Sequence, residues 1–165
     1  MTTIDNVTSL KASPLRVWSI LTDFAGHSQW KPFIQLSGAA IRGGDATYTF
    51  RIGGIDKSMT AKADITRVEK PMEFAWTAGV AGFLLFEEAY ALESEPTGMH
   101  LRHSLRFSGV FAGPLAGLIR RKPRATLDRS DSCLERHLWR LSAQQAPKGR
   151  TLPAHHGVKS RRRQR

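Results

Sequence analysis

The chain has 165 residues, a formal net charge of +11, 41% hydrophobic and 24% charged residues, and a single cysteine. That length suits one domain with a real core, and the composition is that of an ordinary globular protein. No apolar run approaches the ~20 residues that span a bilayer, and Cys133 alone excludes an internal disulfide or a cysteine metal cluster. The charge is unevenly placed. Residues 1–113 carry eleven basic and eleven acidic side chains, 114–142 carry seven against three, and 146–165 carry seven basic and none acidic. The opening Met-Thr-Thr-Ile-Asp-Asn has neither the basic start nor the apolar segment of a secretory signal, so a cytoplasmic protein is expected.

In chain order, Thr3 to Lys11 reads as a first strand, with Ile4, Val7 and Leu10 only roughly in phase. Ser13-Pro14 reads as an N-cap followed by proline at the first helical position. Leu15, Val17, Trp18, Ile20 and Leu21 then make a short buried helix that closes before Asp23. His27 to Pro32 is a helical turn or loop. Six β-prone segments follow at 33–41, 46–52, 56–69, 73–78, 84–93 and 99–107. Gly43-Gly44, Gly53-Gly54, Lys70-Pro71, Gly79 to Gly82 and Pro96-Thr97-Gly98 separate them as turns, the spacing of antiparallel hairpins.

A long helix is expected from Pro114 to Leu141. Leu115, Leu118, Ile119, Leu127, Leu134, Leu138 and Leu141 recur at helical spacing on one face, while Arg120, Arg121, Arg124, Arg129, Arg136 and Arg140 form a basic outer face. At its rise per residue such a helix is about 40 Å long. Pro123 demands a kink or a fresh start within it. Strand, short helices, six strands and a long helix make an α+β chain, with the helices on one side of a bent sheet. After Leu141 periodicity is lost. The division is therefore a domain at 1–145 and a disordered basic tail at 146–165.

Gly-rich phosphate loops, Gly-x-Ser-x-Gly, His-Glu-x-x-His and Cys-x-x-Cys are all absent, and no metal or cofactor is expected. The chemistry lies in the strand faces. Side chains alternate along a strand, so Leu84, Phe86, Glu88, Tyr90 and Leu92 share one face, as do Leu101, His103, Leu105 and Phe107. Glu88 and His103 thus fall on otherwise apolar faces. In a hairpin they lie one or two pairs apart and, with Tyr90, form a polar cluster in an apolar setting. The competing readings are a hydrogen-bonded core histidine and a glutamate at a strand end facing water. Burial of either without a partner costs several kcal/mol, so inside the protein they are paired or meet a ligand.

Phe74 and Trp76 share a strand face, and Trp18, Trp30, Phe33 and Phe50 add bulk. Each is first a core residue, and together they can line a pocket. Cys133, on or beside the helix stripe, reads as an inert buried thiol. The tail has no aromatic interleaved with its arginines, so base stacking has no platform there. It reads as a solvated extension with weak polyanion affinity and no specific nucleic-acid partner.

"VWSILTDFAGHSQWKPFI" (17–34), "EKPMEFAWTAG" (69–79) and "EEAYALESEPTGMHLRHSLRFSG" (87–109) together resemble the SRPBCC superfamily, also called START-like, Bet v 1-like or polyketide cyclase and lipid transport proteins. The resemblance covers roughly 4–142. It implies a helix-grip fold, in which a curved antiparallel sheet wraps the long C-terminal helix around an apolar cavity. The implied partner is a small hydrophobic molecule such as a lipid, a polyketide or an aromatic metabolite. His103 falls where related members often place a histidine. Lys31 stands where asparagine is common, and Leu105 where an acidic residue often follows the histidine.

On this view Trp30, Phe33, Phe50, Phe74, Trp76 and Phe86 line the site, with Leu105, Leu127 and Leu134 completing its apolar wall. Glu88, Tyr90 and His103 are its polar members. Three functions remain open: a ligand-binding module, a cyclase- or dehydratase-type enzyme with His103 and Glu88 as acid and base and Tyr90 orienting the substrate, or a regulatory partner whose basic tail docks on an acidic protein or RNA.

Overall fold

A computed structural model describes residues 1–31, 33–51, 58–113 and 116–145. The turn at Gly53-Gly54 and the tail at 146–165 lie outside the described residues.

Ser13 caps the first helix as its sequence dictates: its Oγ accepts the Arg16 N–H, Pro14 occupies the first turn, and α1 runs over Pro14–Thr22. Asp23 ends α1 through its N–H to Ser19 O and starts a 3₁₀ segment, Phe24–Gln29, by accepting the Gly26 N–H on its carboxylate. Seven strands surround these helices: β1 (Thr2–Leu10), β2 (Ile34–Gly38), β3 (Asp45–Arg51), β4 (Ser58–Glu69), β5 (Glu73–Val80), β6 (Leu84–Glu95) and β7 (Gly98–Ser108). They form one antiparallel sheet in the order β1-β7-β6-β5-β4-β3-β2. Every connection from β2 onward is thus a hairpin, and β1 closes onto β7. A bulge between Ile65 and Arg67 shifts the register of β4 on β5, a feature that increases local bend and twist. Gly109, at φ +103°, lets the end of β7 approach the β5–β6 turn, where a Cβ would lie 2.2 Å from Phe83 O.

The last element, α2, spans Ala116–Gln145. It starts before Pro123 and continues past it, so Pro123 sits inside the helix and does not begin a new one. The apolar stripe holds where it is described: Leu127, Leu134 and Leu138 are buried, while Arg124, Arg129, Arg136 and Arg140 are exposed. Cys133 differs from expectation. It is half-buried, and its sulfur accepts from Arg136 at 3.1 Å, because position 133 falls at the edge of the stripe. In β1 the inward residues are Ile4, Asn6, Thr8 and Leu10, and Val7 points out at 51% exposure. Strict alternation wins over the apolar spacing read from the sequence.

The main core joins α1, the 3₁₀ segment and α2 to the sheet's inner face through Trp18, Leu21, Phe24, Leu36, Phe74 and Leu101. The architecture is the expected α+β helix-grip arrangement, a curved antiparallel sheet with the long C-terminal helix against it.

Candidate functional site

The hairpin of β6 and β7 pairs Tyr90 with His103 and Glu88 with Leu105. Glu88 and His103 are therefore diagonal neighbours on one face, and His103 Nε2 lies 3.0 Å from Glu88 Oε1. Both are buried, as is Tyr90, whose ring stacks on the imidazole at 4.2 Å between centroids. Neither residue ends a strand or faces water.

Two residues from distant elements complete the cluster. Lys31 follows the 3₁₀ segment, which His27 anchors: His27 Nε2 donates to Leu21 O at 2.9 Å and its Nδ1 accepts the Leu36 N–H at 3.3 Å. This one imidazole ties α1, the 3₁₀ segment and β2 together and aims Lys31 inward. Lys31 Nζ then donates to Glu88 Oε2 at 2.7 Å and Tyr90 Oη at 2.9 Å. From α2, Asp131 Oδ1 lies 2.7 Å from His103 Nδ1, and its other oxygen accepts from Asn6 Nδ2 at 2.8 Å and Thr8 Oγ1 at 3.4 Å.

Glu88 is saturated. Oε2 accepts from Lys31 and from Trp76 Nε1 at 2.8 Å, while Oε1 accepts from Tyr90 Oη and His103, both at 3.0 Å. Four donors fill the lone-pair sites of a carboxylate. Burial would raise the Glu88 carboxyl, but the Lys31 ammonium and the His103 imidazole outweigh it and hold it below the usual carboxylate range. Burial would likewise lower His103. The hydrogen bonds to Asp131 and Glu88 dominate and raise it, and with a carboxylate oxygen facing each ring nitrogen the arrangement favours the protonated ring. Burial, then the Glu88 and Asp131 charges, push the Tyr90 phenol well above its ordinary value. Two cations and two anions balance within the protein.

A groove lies beside this network. It holds about 350 Å³ and is lined by Phe33, Ile34, Tyr48, Phe50, Phe86, Phe107 and Thr126, from the start of β2, the strands β3, β6 and β7, and α2. Trp76 joins groove and network. Its ring packs 5.2 Å from Phe86 and 5.4 Å from Tyr48, while its indole N–H holds Glu88. The Arg129 guanidinium covers the Phe33 ring at 5.1 Å.

Of the residues singled out in the sequence, Phe33, Phe50 and Phe86 line the groove, and Glu88, Tyr90, His103 and Trp76 form or touch the network. Leu105 and Leu127 pack with Ile4 in a small core cluster against Phe86 and Phe107. Trp30, Phe74 and Leu134 belong to the main core.

Lys31, Asp131 and Asn6 were not singled out for the network, nor Ile34, Tyr48, Phe107 and Thr126 for the groove. Several carried a signal. Asp131 lies four after Leu127 and three before Leu134, on the apolar stripe, and Tyr48 alternates with Phe50. Lys31 carried none. Among the described residues, no group of three or more His, Cys, Asp or Glu side chains is placed to hold a metal ion, and no helix is long and apolar enough to cross a membrane.

A curved antiparallel sheet against one long helix, with an aromatic groove between them, defines a helix-grip protein. The chain belongs to the family described as polyketide cyclase / dehydrase and lipid transport, which it matches over residues 1–136. Solved structures share the fold. MLL2253 from Mesorhizobium loti is 17% identical at a TM-score of 0.66, covering 84% of this chain and 98% of its own. TTHA0849 from Thermus thermophilus is 15% identical at 0.66, covering 86% and 99%. DynU16, a putative protein in the dynemicin biosynthetic locus, is 17% identical at 0.59, covering 83% of this chain and 47% of its own. No curated protein matches the chain.

Proposed function

We propose that the protein binds a small hydrophobic molecule (a lipid, a polyketide or an aromatic metabolite) in the groove between the sheet and α2. The observation that carries this reading is the groove itself. Five aromatic side chains and Ile34 wall a space of about 350 Å³, within the range of small-molecule sites. The polar groups behind it are committed to one another and offer that space no unpaired acid or base.

The second reading is a cyclase- or dehydratase-type enzyme with His103 and Glu88 as acid and base and Tyr90 orienting the substrate. The 3.0 Å His103–Glu88 contact favours it. It requires the network to open, because Glu88 already accepts four hydrogen bonds and both His103 nitrogens are engaged. The basic segment 146–165 is assigned at most weak, salt-sensitive contact with polyanions, and the setting proposed is the cytoplasm.

Native mass spectrometry of the purified protein tests the binding reading. A retained apolar adduct, lost in Ile34→Trp with the fold intact by circular dichroism, supports it. An adduct unaffected by Ile34→Trp places the ligand elsewhere and overturns it.

A further inference from the structure

A second cavity lies away from the groove, where the C-terminal half of α2 meets the 3₁₀ segment. It holds about 390 Å³ and is lined by Gln29, Trp30, Cys133, Arg136, Trp139 and Arg140. None of these residues takes part in the polar network.

Three observations define what would fit there. First, Trp30 walls the cavity with its largely buried indole, an aromatic surface fixed in place by the core. Second, Arg136 and Arg140 stand one helical turn apart, and neither has a carboxylate within ion-pair distance among the described residues. Their side-chain hydrogen bonds go to neutral acceptors: Arg136 to Ser132 O and Cys133 Sγ, and Arg140 to Gln29 O at 3.3 Å. Third, Trp139, between them in sequence, is 72% exposed, so its ring is available for stacking. Among the described residues the lining presents two positive charges and aromatic surface, and contains no carboxylate.

We infer that this cavity is a binding site for a planar aromatic anion, an aryl carboxylate in the first instance. Its ring stacks on Trp139 and lies against the Trp30 indole, and its carboxylate meets the Arg136 and Arg140 guanidiniums. The site is separate from the groove and does not depend on what the groove binds.

The test uses the full chain and 2-naphthoate as probe. The four tryptophans, Trp18, Trp30, Trp76 and Trp139, give four indole N–H signals in a nitrogen–proton correlation spectrum. These are assigned by single Trp→Phe substitutions. Saturable shifts of the Trp30 and Trp139 signals are expected, with Trp76 unmoved. Arg136→Gln/Arg140→Gln should weaken binding about tenfold or more, the scale of a lost charge-assisted contact. Neutral 2-naphthamide should bind weakly by a similar factor, and Ile34→Trp in the groove should change nothing. The proposal is overturned if Trp76 shifts while Trp30 and Trp139 stay fixed, if no signal saturates, or if the double arginine variant and the neutral amide bind as well as the parent pair.

Discussion

Lys31 Nζ lies 2.7 Å from Glu88 Oε2, though the two residues are 57 positions apart and both are buried. The pair joins the end of the 3₁₀ segment to the centre of β6. Removing one partner leaves the other charge buried and uncompensated. Lys31→Met is therefore expected to destabilise the protein by about 3–5 kcal/mol. Combining it with Glu88→Gln should recover part of that loss. Urea denaturation of both single variants and the double variant measures the coupling, and additive losses would refute a direct pair.

His103 makes stability depend on alkaline pH. Its folded-state proton affinity is raised by Asp131 and Glu88 despite burial, so its contribution is complete below the ordinary value of 6.5 and falls as pH climbs through the raised value. The urea midpoint of the parent protein should decline as pH rises above 6.5. His103→Gln should start lower and stay nearly flat over that window. A parent protein with no such decline would mean that the ring is neutral when folded.

Asp131→Asn probes the other half of the same linkage. It keeps an acceptor near His103 Nδ1 but removes the charge, so the histidine should titrate at lower pH than in the parent. The stability loss should be about 1–3 kcal/mol. Carbon–proton NMR of the His103 ring across pH reads the shift directly, and an unchanged titration would remove Asp131 from the network.

At the acid end His27 governs. Burial and the nearby Lys31 charge lower it from 6.5 to about 4, and its Nδ1 must stay unprotonated to accept the Leu36 N–H. A depressed value places its contribution above pH 6.5 and removes it as pH falls through 4. The shift corresponds to about 3 kcal/mol lost over that interval. His27→Gln keeps a donor and an acceptor without a titrating group. It should flatten the pH dependence of thermal unfolding between these limits, and a curve parallel to the parent's would assign the acid loss to other groups.

Much of this architecture was legible along the chain. Ser13-Pro14 announced α1, the glycine and proline turns separated the strands, and the leucine spacing marked α2. The Glu88–His103 neighbourhood also followed from the sequence, because period-two alternation and one hairpin place both on the same face. Of the two outcomes expected at Pro123, the fresh start does not occur, since a proline signal is local and α2 is held beyond it by Leu127, Leu134 and Leu138 in the core.

By itself, then, the order of residues determined most of the elements and inward faces and the neighbourhood of Glu88 and His103, all of which depend on short-range periodicity. Only the tertiary structure decided what those groups meet. Lys31 reaches Glu88 across 57 positions, Asp131 reaches His103 across 28, and Asn6 reaches Asp131 across 125. A lysine after a tryptophan reads as a surface residue until the fold surrounds it with a carboxylate, a phenol and an indole. Partners at that separation leave no periodic trace, because sheet closure and helix docking set their distance while local backbone geometry does not.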